Sequence, residues 1–203
     1  MTNQEENIQN FWSWFKANER QLRSLNDPGD PFWDFALEQL KKIHLGLWFE
    51  MSQPEQVCRE FVITVEGDKN LFSLADQVIA AAPAIPRWQF ISLKPACGFD
   101  FTTTYEDVFL DPKQMWFLPL ESSARPHELG LRIAVPQLDS GKIREVSNGI
   151  LTILDTALGE RNAAENIHYM EVCDLPESPE SKGFIKLPEL PNHINWLKSQ
   201  RSG

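Results

Sequence analysis

The fold is decided by residues 60–93, whose sequence is EFVITVEGDKNLFSLADQVIAAAPAIPRWQFISL. Residues 60–66 and 87–93 alternate between apolar and polar side chains as β-strands do, and residues 71–82 between them have helical spacing. A further alternating segment, residues 45–51, precedes this stretch. The patterns predict a ββαβ unit with a right-handed crossover between its last two strands.

The second half of the chain repeats this order. It contains two strands, a helix and a closing strand, at residues 115–120, 127–135, 142–158 and 167–172. Local segments also agree: Leu47-Trp-Phe-Glu50 matches Met115-Trp-Phe-Leu118, and Trp88-Gln-Phe-Ile-Ser-Leu93 matches Ile167-His-Tyr-Met-Glu-Val172. We therefore expect two ββαβ units, residues 45–94 and 115–172, that arose by internal duplication and share one core.

Residues 1–44 are predicted to form two helices that cover part of the sheet. The first begins at a capping box, Thr2-Asn-Gln-Glu5, and places apolar side chains from Ile8 to Leu22 on one face. The second begins at Asp30-Pro31, an N-cap residue followed by proline at the first helical position. Because the strands are apolar on both faces, both faces need cover. The helices of the ββαβ units are assigned to one face and the two N-terminal helices to part of the other.

The C-terminal region is predicted to have two parts. Residues 174–183 are rich in Pro, Ser and Glu, which is typical of a mobile linker, and residues 184–203 form a C-terminal segment that docks on the rest. With 203 residues in all, the chain is long enough for one large domain or for two small, closely associated ones. We expect a single integrated α+β domain over residues 1–203.

Composition limits the class of protein. The chain has 29 acidic and 19 basic residues, a net charge of −10, which argues against a nucleic-acid partner. No apolar run is long enough for a membrane span, and the polar, acidic start is unlike a signal peptide, so a cytoplasmic location is expected. Three widely spaced cysteines without a CxxC pair predict neither a metal site nor a disulfide framework.

The search for catalytic motifs is negative. No GxxxxGK[ST], GxGxxG, GxSxG or HExxH pattern occurs, and the four histidines lack the spacing of metal ligands. The sequence therefore assigns no catalytic residue, no cofactor and no metal, and it favours a non-catalytic protein over an enzyme. Five tryptophans that lie in amphipathic patterns are assigned to core packing: Trp12, Trp33, Trp48, Trp88 and Trp116. Trp14 lies off the apolar stripe of the first helix and is a candidate for a surface role, with core packing as the other interpretation.

Four residues are candidates for ligand binding: Glu50, Lys94, Asp155 and Glu160. Asp155 and Glu160 lie near the end of the helix 142–158, where Gly159 is the expected C-cap and where a carboxylate opposes the helix dipole. Glu50 lies on the same face as Trp48 in an otherwise apolar strand and needs a partner. A purely structural role is the favoured interpretation for these carboxylates, and ligand binding is the alternative.

Several segments together resemble a known family. They include Phe11-Trp-x-Trp-Phe15, Phe61-Val-Ile-Thr-Val-Glu-Gly67 and Leu154-Asp-x-Ala-Leu-Gly-Glu160. As a set they resemble an uncharacterised family of bacterial cytosolic proteins over most of the chain. The resemblance implies a single integrated α+β unit and supplies no activity. Where the family has a basic Arg-Pro-Arg-like segment after the third strand, this chain has Lys94-Pro95.

Three hypotheses for function follow. The first is a non-catalytic binding or regulatory module that acts through protein–protein contact, with an acidic surface for a basic partner. The second is an enzyme or small-ligand binder with a carboxylate-lined pocket near Glu50, Asp155 and Glu160. The third is a homodimer formed through open edge strands. Residues 1–100 carry 14 acids and 9 bases and residues 101–203 carry 15 and 10, so the acidity is diffuse and serves solubility as well.

Overall fold

The computed structural model describes residues 2–54, 56–120, 125 and 128–201, which form α-helices and several β-sheets and define an α+β protein. The chain divides into two compact units, Met1–Lys94 and Pro95–Gly203. A single integrated domain with one shared core stays a prediction. His127, the predicted first residue of a strand, lies outside the described residues.

The first unit contains the predicted ββαβ order behind an N-terminal helical segment. Its elements are α1 (Asn3–Ala17), α2 (Glu19–Ser24), α3 (Phe32–Lys41), β1 (Trp48–Met51), β2 (Arg59–Thr64), α4 (Phe72–Ala80) and β3 (Trp88–Ser92). The strands form one sheet in the order β1-β2-β3, with β1 antiparallel and β3 parallel to β2. The parallel pair is connected through α4, as a strand–helix–strand crossover requires.

The N-terminal segment has three helices, so the prediction of two is wrong; all of residues 2–44 are described. The predicted capping box of Thr2 and Glu5 is confirmed at the start of α1. The first predicted helix is interrupted at Asn18, whose Nδ2 donates a hydrogen bond to the carbonyl of Trp14 at 2.8 Å. The backbone N–H of Asn18 donates to the carbonyls of Trp14 and Phe15, which closes α1. Asparagine competes in this way with continued helix, and apolar spacing does not register that competition.

The helices α1 and α4 pack on the same face of the sheet, which corrects the prediction that they cover opposite faces. Phe61 on β2 and Phe90 on β3 lie opposite each other and contact Phe15 of α1, with ring centroids 5.1 and 5.3 Å away. Two residues beyond Phe90, Ser92 points to the same face and donates its Oγ–H to Asp76 of α4 at 2.6 Å. The aromatic side chains of the sheet and the Ser92–Asp76 hydrogen bond therefore place both helices on one face.

The second unit contains the other ββαβ order with additional elements. These are β4 (Thr103–Tyr105), β5 (Val108–Leu110), β6 (Trp116–Leu120), β7 (Leu129–Val135), α5 (Ile143–Leu158), α6 (Glu160–Asn166), β8 (Ile167–Asp174), β9 (Ile185–Lys186) and α7 (Leu190–Arg201). Strands β4 and β5 pair as a short hairpin, and the larger sheet has the order β8-β7-β6-β9. Strands β6, β7 and β8 with α5 repeat the pairing of the first unit, antiparallel then parallel.

One local correspondence between the two units differs from the sequence match. In the first unit Phe61 pairs with Phe90, whereas in the second unit Leu131 pairs with Met170. In the sequence, Phe61 corresponds to Leu131 and Phe90 to Tyr169, which predicts that Leu131 pairs with Tyr169. The shift of one residue comes from an irregularity in the β7–β8 pairing next to Gly130. The common origin of the two units stays a prediction.

The C-terminal region is more structured than its composition predicts. The predicted linker, residues 174–183, begins on β8, includes a 3-10 turn at residues 180–182 and bonds to β7 through Leu175 N–H and Val135 O at 3.0 Å. Its mobility stays a prediction. Residues 185–186 form β9 beside β6, and Leu187 and Leu190 are buried in the core of the unit. The docking expected of the segment 184–203 thus includes a strand that its sequence did not predict.

Candidate functional site

Two of the four candidate residues, Glu50 and Lys94, form an ion pair in the first unit. The Nζ of Lys94 lies 3.1 Å from Oε1 of Glu50. The carboxylate on β1 thus has the cationic partner that its position required. Because more than half of the Glu50 side chain is exposed, this pair contributes at most about 1 kcal/mol to stability.

The indole next to this ion pair is not part of the core. Trp48, on the same face of β1 as Glu50, is 36% exposed, so its assignment to core packing is wrong. The Nζ of Lys41 lies 3.4 Å from the centroid of its ring, a cation–π contact. Trp12, Trp88 and Trp116, by contrast, are buried as predicted. Trp48 is the first residue of an edge strand, so its outer side has no neighbouring strand among the described residues.

The other two candidates, Asp155 and Glu160, lie around the end of α5 in the second unit. The helix ends at Leu158, and Gly159 follows it with φ of +80°, so the predicted C-cap is confirmed. Glu160 is fully buried and is the first residue of α6, where a carboxylate complements the dipole. Glu160 thus lies both next to the C-terminal end of α5, as predicted, and at the N-terminal end of α6. Asp155 is half-buried one turn earlier.

The four candidates are thus distributed over both units, Glu50 and Lys94 in the first and Asp155 and Glu160 in the second. Each pair has a structural explanation: an ion pair on β1 in one case and a helix boundary in the other. A common carboxylate-lined pocket, and with it the enzyme or small-ligand alternative, stays a prediction.

The first unit also carries a surface feature that the sequence predicted only in part. Trp14 on α1 and Phe32 and Phe35 on α3 form a cluster, called here the aromatic patch. The ring centroid of Trp14 is 6.0 Å from that of Phe32 and 5.7 Å from that of Phe35, and the two phenyl rings are 5.7 Å apart. Phe35 is 43% exposed, and the other two rings are half-buried.

The packing of α3 explains why these rings remain at the surface. Trp33 stacks on Phe49 of β1 at 5.8 Å, and Ala36 and Leu40 are buried. Successive helical residues are 100° apart, so Phe35 lies away from the side that Leu40 occupies. The sequence indicated Trp14 as a candidate surface residue and did not identify Phe35. The sequence feature that indicates the aromatic patch is the i,i+3 spacing of Phe32 and Phe35, which makes them neighbours on one helix face.

Acidic residues border the aromatic patch. Residues 27–38 contain four acids and no Lys or Arg. Asp27 and Asp30 accept hydrogen bonds from backbone N–H groups in the turn before α3, so their carboxylates shape that turn. Asp34 and Glu38 are exposed, one helical turn apart, and Glu38 is three residues from Phe35. The patch therefore has an exposed negative edge along α3.

Sequence reasoning missed the buried cation of the first unit. Arg59 is only 1% exposed and donates to the carbonyls of Leu22, Arg23 and Leu25 at 2.5–2.6 Å and of Ser52 at 2.9 Å. Three of these carbonyls lie at the C-terminal end of α2, where backbone acceptors lack helical partners. A cleft of about 320 Å³ next to Arg59 is also lined by Trp33, Met51 and Gln53. The donors of Arg59 hold α2 in place.

The second unit has a polar network on its outer strand, β8. The Nε of Arg132 donates to Oε1 of Glu171 at 2.5 Å, and the hydroxyl of Tyr169 donates to Oε2 at 2.8 Å. The Tyr169 hydroxyl and then Arg132 lower the pKa of the Glu171 carboxyl. Burial raises the pKa of the nearby Cys173 thiol, which keeps that thiol protonated at neutral pH and unlike an activated nucleophile.

Over the described ranges, no three His, Cys, Asp or Glu side chains lie together in a way that could hold a metal ion. In the part of the chain that the structure describes, no helix has both the length and the apolar character needed to cross a membrane.

The fold and the aromatic patch together define an α+β protein with an exposed aromatic surface in its first unit. Comparisons of the chain with protein-family models, with curated proteins and with solved structures found no match. The resemblance to a bacterial cytosolic family stays a prediction.

Proposed function

We propose that the chain is a non-catalytic binding or regulatory module that acts through protein–protein contact, with the aromatic patch as its contact surface. The observation that supports this is the mutual packing of Trp14, Phe32 and Phe35 with Phe35 43% exposed. Aromatic side chains are enriched at the energetic centres of protein interfaces. A single exposed phenylalanine is ordinary, whereas three rings in contact form a continuous surface.

The packing of the patch favours binding in a second way. Trp14 and Phe32 contact Phe35 from two sides, which restricts its rotamers before any partner arrives. A side chain that is ordered beforehand loses less entropy on binding, and each immobilised side chain otherwise costs about 0.5–1.5 kcal/mol. The patch is therefore prepared to accept apolar side chains of a partner.

The location and the assembly state belong to the same proposal. The resemblance of the sequence to bacterial cytosolic proteins supports the bacterial cytoplasm as the place of action. Self-association as a homodimer is the alternative assembly, and the outer strands of the three-stranded and four-stranded sheets are the edges through which it would occur.

The proposal is tested by site-specific crosslinking in the organism that encodes the chain. A photoreactive amino acid replaces Phe35 in one variant and Leu151, an exposed apolar residue of α5, in a matched control. We expect a protein adduct from position 35 that is absent from position 151. Absence of an adduct at position 35 would contradict the proposal.

The captured protein is then identified by mass spectrometry, purified and titrated against the wild-type chain, Phe35→Ala and Leu151→Ala. We expect Phe35→Ala to weaken binding by about tenfold or more, as truncation of an interface hot spot does. Leu151→Ala is expected to bind like the wild type. Equal binding by all three chains would show that the aromatic patch is not the contact surface.

A further inference from the structure

We infer that the partner segment that fits the aromatic patch is an amphipathic helix with apolar side chains along one stripe and Lys or Arg beside it. This inference rests on the proposed function, because it names the partner of the same surface. It is carried by two observations: the patch consists of helix side chains only, and its exposed border is acidic.

The helical origin of the three rings determines which type of partner segment the patch can bind. Trp14 comes from α1, and Phe32 and Phe35 come from α3, so all three rings project from helices. An extended peptide that adds to a sheet needs an open strand edge for its backbone hydrogen bonds, and the patch contains none. A helix satisfies its own backbone and needs only apolar contacts, as in helix-in-groove recognition.

The charge of the partner follows from the residues around the rings. Asp34 and Glu38 are exposed on α3, and Glu38 is one turn from Phe35. Of the two lysines at the end of α3, Lys41 lies over the ring of Trp48. Lys42 is exposed seven residues from Phe35, on the same side of the helix, and donates to the neutral amide of Gln39 at 2.7 Å.

On α1, Lys16 is two residues from Trp14 and therefore faces another direction. Two exposed acids, Asp34 and Glu38, against one exposed lysine, Lys42, leave a net negative charge along α3 beside the patch. A basic segment is therefore attracted and an acidic one is repelled.

A second copy of the chain is a poor occupant for the same reason. Pairing two patches across a two-fold axis would bring the acidic residues Asp34 and Glu38 of both copies into one interface. The net charge of −10 adds to this repulsion at low salt. A basic segment of another protein meets neither cost.

The experiment uses the full chain and two synthetic peptides of about 18 residues, five helical turns. Both carry the same leucine stripe; the remaining positions are Lys and Ala in the basic peptide and Glu and Ala in the acidic one. Binding is measured by fluorescence anisotropy at low and at high salt. We expect the basic peptide to bind at least about tenfold more tightly at low salt, with a smaller ratio at high salt.

Variants separate the roles of the rings and of the charges. Phe35→Ala is expected to weaken binding of the basic peptide by about tenfold, and Leu151→Ala to leave it unchanged. The double variant D34K/E38K is expected to abolish the preference for the basic peptide. The double variant E177K/E180K changes exposed acids of the second unit by the same total charge and is expected to keep that preference.

The results that would contradict the basic-helix inference differ from those that would contradict the proposed function. The basic-helix inference is overturned if the two peptides bind equally, if neither binds, or if D34K/E38K keeps the preference. Equal binding of both peptides that is lost in Phe35→Ala would overturn the partner class and retain the patch as a contact surface. Absence of a crosslinked adduct at position 35 would instead overturn the proposed function itself.

Discussion

The indole Nε1 of Trp12 donates a hydrogen bond to the backbone carbonyl of Val78 at 2.8 Å, which joins α1 to α4 across 66 residues of sequence. Val78 lies in the last turn of α4, where the backbone carbonyls have no N–H donor within the helix itself. The buried indole therefore caps the C-terminal end of another helix. This bond also holds both helices on the same face of the first sheet.

Replacement of this indole is expected to destabilise the first unit. Trp12→Phe removes the hydrogen bond and leaves a small cavity, and we expect a loss of about 2–3 kcal/mol in the free energy of unfolding. Urea unfolding followed by circular dichroism measures it. Trp14→Phe is the matched control on the same helix, with an expected loss below about 1 kcal/mol because its ring is only half-buried. Equal losses in the two variants would contradict a capping role for Trp12.

Arg59 has a related role at the end of α2. Arg59→Met keeps much of the side-chain volume but leaves the carbonyls of Leu22, Arg23 and Leu25 without this donor. We expect a loss of about 3 kcal/mol or more in urea unfolding, since several buried acceptors lose a charged donor together. Arg20→Met changes an exposed arginine of the same helix and is expected to change stability by less than about 0.5 kcal/mol. A near-neutral Arg59→Met would show that these bonds contribute little.

A glycine in α5 is required by close packing. A Cβ at Gly149 would collide with Leu110 Cδ1 and would lie 3.0 Å from Cβ of Tyr105, both on the β4–β5 hairpin. Gly149→Ala raises helix propensity by about 1 kcal/mol, yet we expect it to destabilise the second unit by about 1–3 kcal/mol through this overpacking. Thr152→Ala, an exposed change on the same helix, is the control. A stabilised Gly149→Ala chain would show that the hairpin moves aside without cost.

The stability of the second unit is expected to depend on the protonation of His193. Its Nε2 is buried and has no hydrogen-bond partner among the described residues, and its ring lies 5.5 Å from that of Phe117. Burial lowers the pKa of His193 below its ordinary value of 6.5. The unfolded chain therefore takes up the proton first, so stability is retained above pH 6.5 and falls as the pH drops through that value towards the folded pKa.

Unfolding measured between pH 8 and pH 5, the range in which histidine titrates, tests this dependence. His193→Phe removes the titrating group and is expected to flatten the decline towards acid. His168→Gln, an exposed histidine on β8, serves as the control and is expected to retain the decline. An unchanged decline in His193→Phe would assign the pH dependence to other groups.

Much of the secondary structure was predictable because its signals are local. Alternation in residues 60–66, helical spacing in residues 71–82 and the punctuating Gly67 each act within a few residues. The same holds for the capping box at Thr2 and for Gly159 at the end of α5. These features produced the ββαβ order in both halves without any knowledge of tertiary contacts.

The features that position the candidate site depend on residues far apart in the chain. The capping of α4 by Trp12 and of α2 by Arg59 joins groups separated by 66 and by up to 37 residues. Exposure of Phe35 depends on which side of α3 meets the sheet, and the short strand β9 exists through its pairing with β6. A local sequence pattern predicts which residues share a face of a helix or strand, but it does not predict which face other elements cover. Burial and long-range hydrogen bonding select that face, and they left the aromatic patch at the surface.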